Sequence, residues 1–431
     1  MRILLVNPPN CGRSIPEEQY GIDSFRQIMK GEPLALEAIA GNLEEYEVKI
    51  IDLKADSDGL LQVLSDFKPE VVGITGTTCE AKTVLLIAAS VKEFLDATVV
   101  VGGIHASSDP QFFNASAIDY IVIGLGKASF RELIDALYTG RDTTRIPGIA
   151  RAEAGKPLSW ISRNYSMGDL VEERPPRYDL VEEYRESYTL KTLDFRIGYV
   201  TSALGCPYHC SFCVMANITG GHYLTHKAET IVRDIGLLGD IPIIRLADAN
   251  TFGNVRHAEE LCERIQDAGI KKHFVIDVRS DTIVGHPGLF QEWKKVGLRT
   301  VVVGFEEIND GKLVMMDKKN TVATNSEAIA ILHDLGITIV GDFIVSPSYS
   351  EAEFDSLSRY VEENRIDLPM FSIMTPLPGS PLFESMKDEI VIHDLDYYTL
   401  TNAVLPTRLE EKVFYEHYAH LVNVHMGKAK L

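Results

Sequence analysis

A chain of 431 residues is long enough for two or three domains, each with its own core, which excludes a single small module. It is 45% hydrophobic and 24% charged, and no apolar run approaches the roughly 20 residues of a membrane-spanning helix; a globular protein without a transmembrane segment is expected. The formal net charge of −20 is spread along the chain, which argues against nucleic acid and anionic membrane surfaces, since Lys and Arg clusters hold both.

The opening MRILLVNPP lacks the longer apolar core of a secretory signal, so a cytoplasmic location is expected. Residues 1–140 alternate short β-branched runs (RILLVN, EVKIIDL, VVGITGT, TVVVGG, YIVIG) with stretches of helical apolar spacing, the pattern of a doubly wound parallel sheet. Ligands of such sheets bind beyond the strands' carboxyl ends. Those ends are Asn7 to Pro9, Thr75 to Thr78, Gly102 to Ser107 and Gly124 to Lys127, loops small enough for a large flat ligand to approach the backbone. No Gly-x-Gly-x-x-Gly follows the first run, which disfavours a dinucleotide. Residues 141–190, with Pro147, Pro157, Pro175 and Pro176 among many charges, read as a connecting strap. A second series over 191–385 (RIGYVTSA, IPIIRLAD, HFVIDVRS, RTVVVGF, ITIVGDFIV, FSIMTP) supplies six strand-helix units, fewer than the eight of a full barrel, so a partial barrel is expected. Residues 386–431 read as a helical region in which Tyr397, Tyr398, Phe414, Tyr415 and Tyr418 pack against the barrel's open side.

Six cysteines in a cytoplasmic chain of this length do not make a disulfide framework. Three of them, Cys206, Cys210 and Cys213, share the stretch LGCPYHCSFC directly after the first strand of the second series, where barrel enzymes keep their chemistry. Soft thiolates suit an iron-sulfur cluster or zinc. Three ligands would leave one iron of a 4Fe-4S cluster open, Cys79 and Cys262 standing alone in the sequence. Zinc with His209 or His222 as fourth ligand is the competing reading, weakened by the absence of a second close pair. The remaining strand ends of the barrel carry Asp248 and Asn250, Arg279 and Asp281, and Glu306 and Glu307, polar groups suited to an ammonium, a carboxylate and a ribose, or else to salt bridges on the barrel rim.

The Cys-x3-Cys-x2-Cys loop, with Phe212 before its third cysteine, resembles that of the radical S-adenosylmethionine superfamily. The resemblance implies Cys206, Cys210 and Cys213 as ligands of a 4Fe-4S cluster whose open iron chelates S-adenosylmethionine, which is cleaved reductively to a 5'-deoxyadenosyl radical. It places Asp248 near the Gly-Gly-Glu segment that holds the amino group, although here the stretch is Ala247-Asp248-Ala249. Asn250 and Phe212 are further cofactor contacts, Arg279 a partner of the carboxylate or a catalytic contact, and Glu306 a partner of ribose or substrate. GGIHAS at 102–107 and GLGKASFREL at 124–133 look like the cobalamin-binding group within that superfamily, the cobalamin-dependent methyltransferases. This implies a corrinoid tail along Thr75, Thr77, Thr78, Gly102, Gly103, Gly124 and Gly126, with His105 touching the tail. The loop Asn7-Pro8-Pro9-Asn10-Cys11-Gly12 has no histidine where many cobalamin domains carry their cobalt ligand. The implied activity is methyl transfer from methylcobalamin to an unactivated carbon, with an electron donor such as flavodoxin or ferredoxin as partner; cyclisation or rearrangement without methyl transfer is the alternative. TPLPGSPLF, TNAVLPTRL and FYEHY resemble the hopanoid C-3 methylase branch, which would imply a lipid acceptor. The acidity of the chain and its lack of a basic amphipathic helix favour a protein or peptide acceptor, as in the related glutamine C-methylase that acts on methyl-coenzyme M reductase, over a lipid or other small molecule.

Overall fold

A computed structural model describes residues 1–22, 31–190 and 195–426. Five parallel strands, β1 (Arg2–Asn7), β2 (Glu47–Asp52), β3 (Val71–Ile74), β4 (Thr98–Val101) and β5 (Tyr120–Val122), lie in the order 2-1-3-4-5. The antiparallel β6 (Ile149–Arg151), from within the expected strap, extends the sheet beside β5. The runs are buried almost throughout because helices cover both faces. Leu4, Val6, Val72, Ile74, Val99 and Val101 pack toward helix Ala81–Phe94. Ile3, Leu5, Val71, Val100 and Val122 pack toward helices Leu34–Gly41 and Gly126–Thr139. Chain order reverses between β1 and β3, the switch point at which such sheets bind ligands.

The second sheet begins with the short antiparallel β7 (Thr189–Leu190), continues with β8 (Phe195–Val200), and is interrupted by a ladder of β9 (Ala203–Leu204) with β10 (Leu224–Thr225). It then runs through β11 (Ile243–Leu246), β12 (His273–Val278), β13 (Leu298–Glu306), β14 (Thr338–Val345) and β15 (Leu368–Ile373) in sequential parallel order, its edges unclosed. This is the expected partial barrel of six parallel strands. The expected boundary at residue 191 falls among residues outside the described ones. Side chains alternate between the two faces. On the convex face Val200, Ile244, Ile276, Val303, Phe343 and their neighbours join the large core under the helices. On the concave face Ile197, Ile243, Val275 and Val302 form a small apolar floor. Above that floor the same alternation brings a polar layer: Tyr199, Arg245, Asp277 and Asp342, with an Arg245–Asp277 pair at 2.7 Å.

The C-terminal residues serve both halves. In helix Glu411–Met426 the residues Phe414, Tyr415 and Tyr418 are fully buried, and Tyr418 Oη donates to the Phe371 carbonyl of edge strand β15 at 2.8 Å. Before it, Asn402 accepts from Ile15 N and donates to Arg13 O, while Lys82 pairs with Asp394, so this segment ties the barrel back to the first sheet.

Candidate active site

The β9–β10 ladder closes the base of an excursion that holds all three clustered cysteines, at the carboxyl end of the first barrel strand. Gly205 opens it at φ +81°; a Cβ there would fall 2.1 Å from His222 O and 2.5 Å from Thr219 Oγ1, so only glycine passes between them. Cys206, Cys210 and Cys213 are all half-buried, and Cys213 N donates to Cys210 O at 3.1 Å. Cys210 and Cys213 line a cleft of about 270 Å³ together with Tyr208, His209, Asn217 and Pro381. Burial pushes both of these thiols above their ordinary pKa. Among the described residues no three His, Cys, Asp or Glu side chains are grouped tightly enough to hold a metal ion. Ligation by thiolates couples deprotonation to closing of such a site. Three soft donors in one accessible loop suit the iron-sulfur group; no nearby second pair suits structural zinc.

Arg279, at the end of β12, is 5% exposed and heavily engaged. Its guanidinium pairs with Asp281 at 2.9 Å, donates to Lys318 O at 2.8 Å, and lies 3.7 Å from the centre of the Tyr208 ring, between the first two cysteines. Glu306 Oε1 accepts from Lys318 Nζ at 2.6 Å, leaving the second oxygen without a partner among the described residues. Asp248 is spoken for at both oxygens: Oδ1 accepts from Ser202 N and Ala203 N, Oδ2 from Ser202 Oγ. Burial holds its carboxyl at about 6. Asn250 contrasts with it, being 1% exposed with neither amide atom hydrogen-bonded. A buried amide without partners is costly, so such a group marks a place where something else binds. Phe212 sits half-buried in the loop beside Ser211, whose N donates to Met316 O at 3.0 Å.

The strand ends of the first sheet come to the same place. Helix Ile104–Ser108, after β4, packs on the turn Met215–Thr219 that follows Cys213, and a Cβ on Gly124 would lie 3.0 Å from Ile218 O. Gly103, at φ +98°, fits against Thr75 Oγ1 and Gly76, where a Cβ would come within 2.8 Å of three atoms. Gly102 and Gly126 flank this region with looser contacts. Thr77 and Glu80 cap their own turn over Thr78, and Asn7 Nδ2 donates to buried Asp52 at 2.7 Å. His105 is fully buried between Phe112 and Phe113 with neither ring nitrogen hydrogen-bonded, and burial lowers its pKa to about 4. Tyr165 of the strap, which no motif singles out, accepts from Leu125 N at 2.7 Å and packs with Leu170 and Leu224 between the two halves. Cys11 and Cys79, distant in sequence, also meet, Cys11 Sγ donating to Cys79 O at 3.6 Å.

Comparison with known proteins agrees with this geometry. Residues 29–134 match the B12 binding domain and residues 200–361 the radical SAM superfamily. An uncharacterised methyltransferase of Pyrococcus horikoshii is 30% identical over 398 residues, 89% of this chain and 83% of that protein. The hopanoid C-3 methylase of Methylococcus capsulatus is 27% identical over 414 residues, 93% of this chain and 78% of its own. The fold is shared with the radical S-adenosylmethionine methyltransferase TsrM of Kitasatospora setae, at TM-score 0.73 and 20% identity, covering 90% of this chain and 78% of that one. The chain belongs to the cobalamin-dependent radical S-adenosylmethionine methyltransferases. It is therefore an enzyme, and the cofactors of its class are cobalamin, a 4Fe-4S cluster and S-adenosylmethionine.

Proposed function

We propose that this enzyme methylates an unactivated carbon in a protein or peptide side chain, of which glutamine is one example, and draws electrons from a flavodoxin- or ferredoxin-like donor. The observation that carries the acceptor class is the concave layer of Tyr199, Arg245, Asp277 and Asp342 above the barrel floor. Burial and the neighbouring Glu306 and Asp277 hold the Asp342 carboxyl at about 8. Lining a lumen with ionisable groups is costly unless its occupant is polar, and a polycyclic hydrocarbon would leave these groups unsolvated.

When bound, the cofactors supply the hydrogen-abstracting radical and the methyl group. The chain's own residues bind, orient and exclude water. Cys206, Cys210 and Cys213 would hold the cluster as thiolates. Asn250 offers an unused donor and acceptor to S-adenosylmethionine, Glu306 its second oxygen, and Arg279 and Asp248 fix the strand ends from which these groups project. Thr75, Thr77, Thr78, Gly102, Gly103, Gly124, Gly126 and His105 would receive the corrinoid tail, the glycines because close backbone approach leaves no room for a side chain. Asn7, fixed by its bond to Asp52, would meet the corrinoid at the first strand end.

Anaerobic incubation with reductant, S-adenosylmethionine and methylcobalamin, offering peptide and lipid extracts in parallel, tests the reading. The expected outcome is equal amounts of 5'-deoxyadenosine and S-adenosylhomocysteine and a gain of one methylene on a peptide. A methylated lipid would overturn the acceptor class. 5'-Deoxyadenosine without S-adenosylhomocysteine would replace methylation by cyclisation or rearrangement.

A further inference from the structure

Loop 315–319, which links helix Asp310–Met315 to helix Val322–Leu335, is bent in an unusual way: Asp317 and Lys319 adopt φ +49° and +52°, and Glu306, which Lys318 touches, adopts +64°. Non-glycine residues in this region cost on the order of 1 kcal/mol or more each and persist where surrounding contacts over-determine them. Contacts of this loop lead to the cysteine loop. Ser211 N donates to Met316 O at 3.0 Å and Ser211 Oγ to Met315 O at 3.5 Å. Arg279 donates to the carbonyls of Lys318 and Lys319 while its face covers the Tyr208 ring at 3.7 Å. Lys318, 6% exposed, reaches Glu306 across Gly304, where a Cβ would fall 2.4 Å from Glu306 Oε1 and 2.9 Å from Lys318 Nζ. Tyr208 and Ser211 lie on either side of Cys210, so the loop is gripped around its middle cysteine.

We infer that Tyr208, Arg279 and loop 315–319 form a cradle that holds the cysteine loop in place and, through the buried cations of Arg279 and Lys318 within that cradle, raises the reduction potential of the cluster. The inference rests on Cys206, Cys210 and Cys213 being the cluster ligands. Reduction adds one negative charge to the cluster; a cation fixed in a poorly solvated site stabilises the reduced form more than the oxidised one. Arg279 and Lys318 are positioning residues, acting through the loop and the field.

Full-length protein reconstituted with iron and sulfide anaerobically provides the test, with iron content and a redox titration followed by electron paramagnetic resonance as readouts. Lys318→Gln is expected to keep its iron yet show a tenfold lower reduced-to-oxidised ratio at a fixed potential, 59 mV more negative for a one-electron couple, and Lys318→Arg to restore it. Tyr208→Leu is expected to lose iron on dilution and Tyr208→Phe, which keeps the ring under Arg279, to retain it. Unchanged potential in Lys318→Gln overturns the electrostatic role, and wild-type iron retention in Tyr208→Leu overturns the cradle. Tyr208 is partly exposed, so that variant decides the cradle on its own, and Lys318→Met, which keeps the side-chain length without the charge, decides the electrostatic role should Lys318→Gln fail to fold. Cys210→Ala separates the underlying reading: full iron content there refutes the ligand assignment itself, whereas iron loss there with no effect at Tyr208 and Lys318 refutes only the cradle.

Discussion

Gly124 shows how one missing carbon can join two halves of a molecule. At φ +84° a Cβ would lie 1.8 Å from Tyr165 Oη, where that hydroxyl meets Leu125 N. Gly124→Ala therefore pays for a left-handed backbone and also displaces the tyrosine, for an expected loss of roughly 2–4 kcal/mol. Gly140→Ala, at φ +69° with open space around it, carries the backbone term alone, roughly 1 kcal/mol. Urea unfolding of both variants checks the difference, and equal losses would mean that the strap yields freely. His105 supplies a second test at this scale. Its folded pKa of about 4 lies below the ordinary 6.5, so the unfolded chain binds the extra proton between those values. The stability that neutral His105 contributes is thus fully present above pH 6.5 and is lost as pH falls toward 4, by roughly 3 kcal/mol. Unfolding of the cofactor-free chain should show a shallower acid slope in His105→Leu than in wild type; identical slopes would reject the assignment.

Among the elements, what the sequence made legible follows from length and periodicity. The five strands of the first sheet and six of the barrel stand out because their runs are largely apolar and β-branched, broken in the barrel by the polar residues Tyr199, Arg245, Asp277 and Asp342 of the concave face. The short β6, β9 and β10 carry neither a period nor a β-branched run and read as strap or loop. The cysteine triad is visible because its ligands are close in sequence. Its supports are not: Lys318 and Met316 lie more than 100 residues beyond the loop they hold, and Tyr165 acts on residue 125, contacts that only the tertiary fold creates. Thr77 offers a hydroxyl to a ligand in the sequence, and Thr77-x-x-Glu80 is also a capping-box pattern that holds this turn in shape at the strand end. At the other end, helix Glu411–Met426 was expected to close the barrel's open side, and it covers β15. Tyr418→Phe removes its buried hydrogen bond to Phe371 O and should cost about 1 kcal/mol, while ending the chain before residue 411 bares the β15 side of the core and should give insoluble protein, measured by the soluble fraction on expression.

On the scale of the whole molecule, the two sheets are fastened through buried charge. Arg185 of the strap pairs with Glu32 of the first half, and Glu32 Oε1 in turn accepts from Tyr199 N of β8 at 2.6 Å. Beside them Glu37 is fully buried, its carboxyl raised well above the usual range by burial and by Glu32, while Tyr188 Oη donates to Asp52 at 3.0 Å. One arginine thus serves more than one acid. Arg185→Met would leave Glu32 without its cation and cost roughly 3–5 kcal/mol, much more than loss of an exposed pair. The pH dependence distinguishes this from a packing defect. Acids whose folded pKa is raised contribute stability that is present at low pH and lost as pH rises through the folded pKa; removing the arginine raises those pKa values further. The variant should therefore be more severely destabilised at alkaline than at mildly acidic pH, and Glu32→Gln placed on top of it should recover part of the loss. Denaturant unfolding of the wild type and both variants at two pH values measures this, and a pH-independent loss in Arg185→Met would show that the arginine acts through its packing and not its charge.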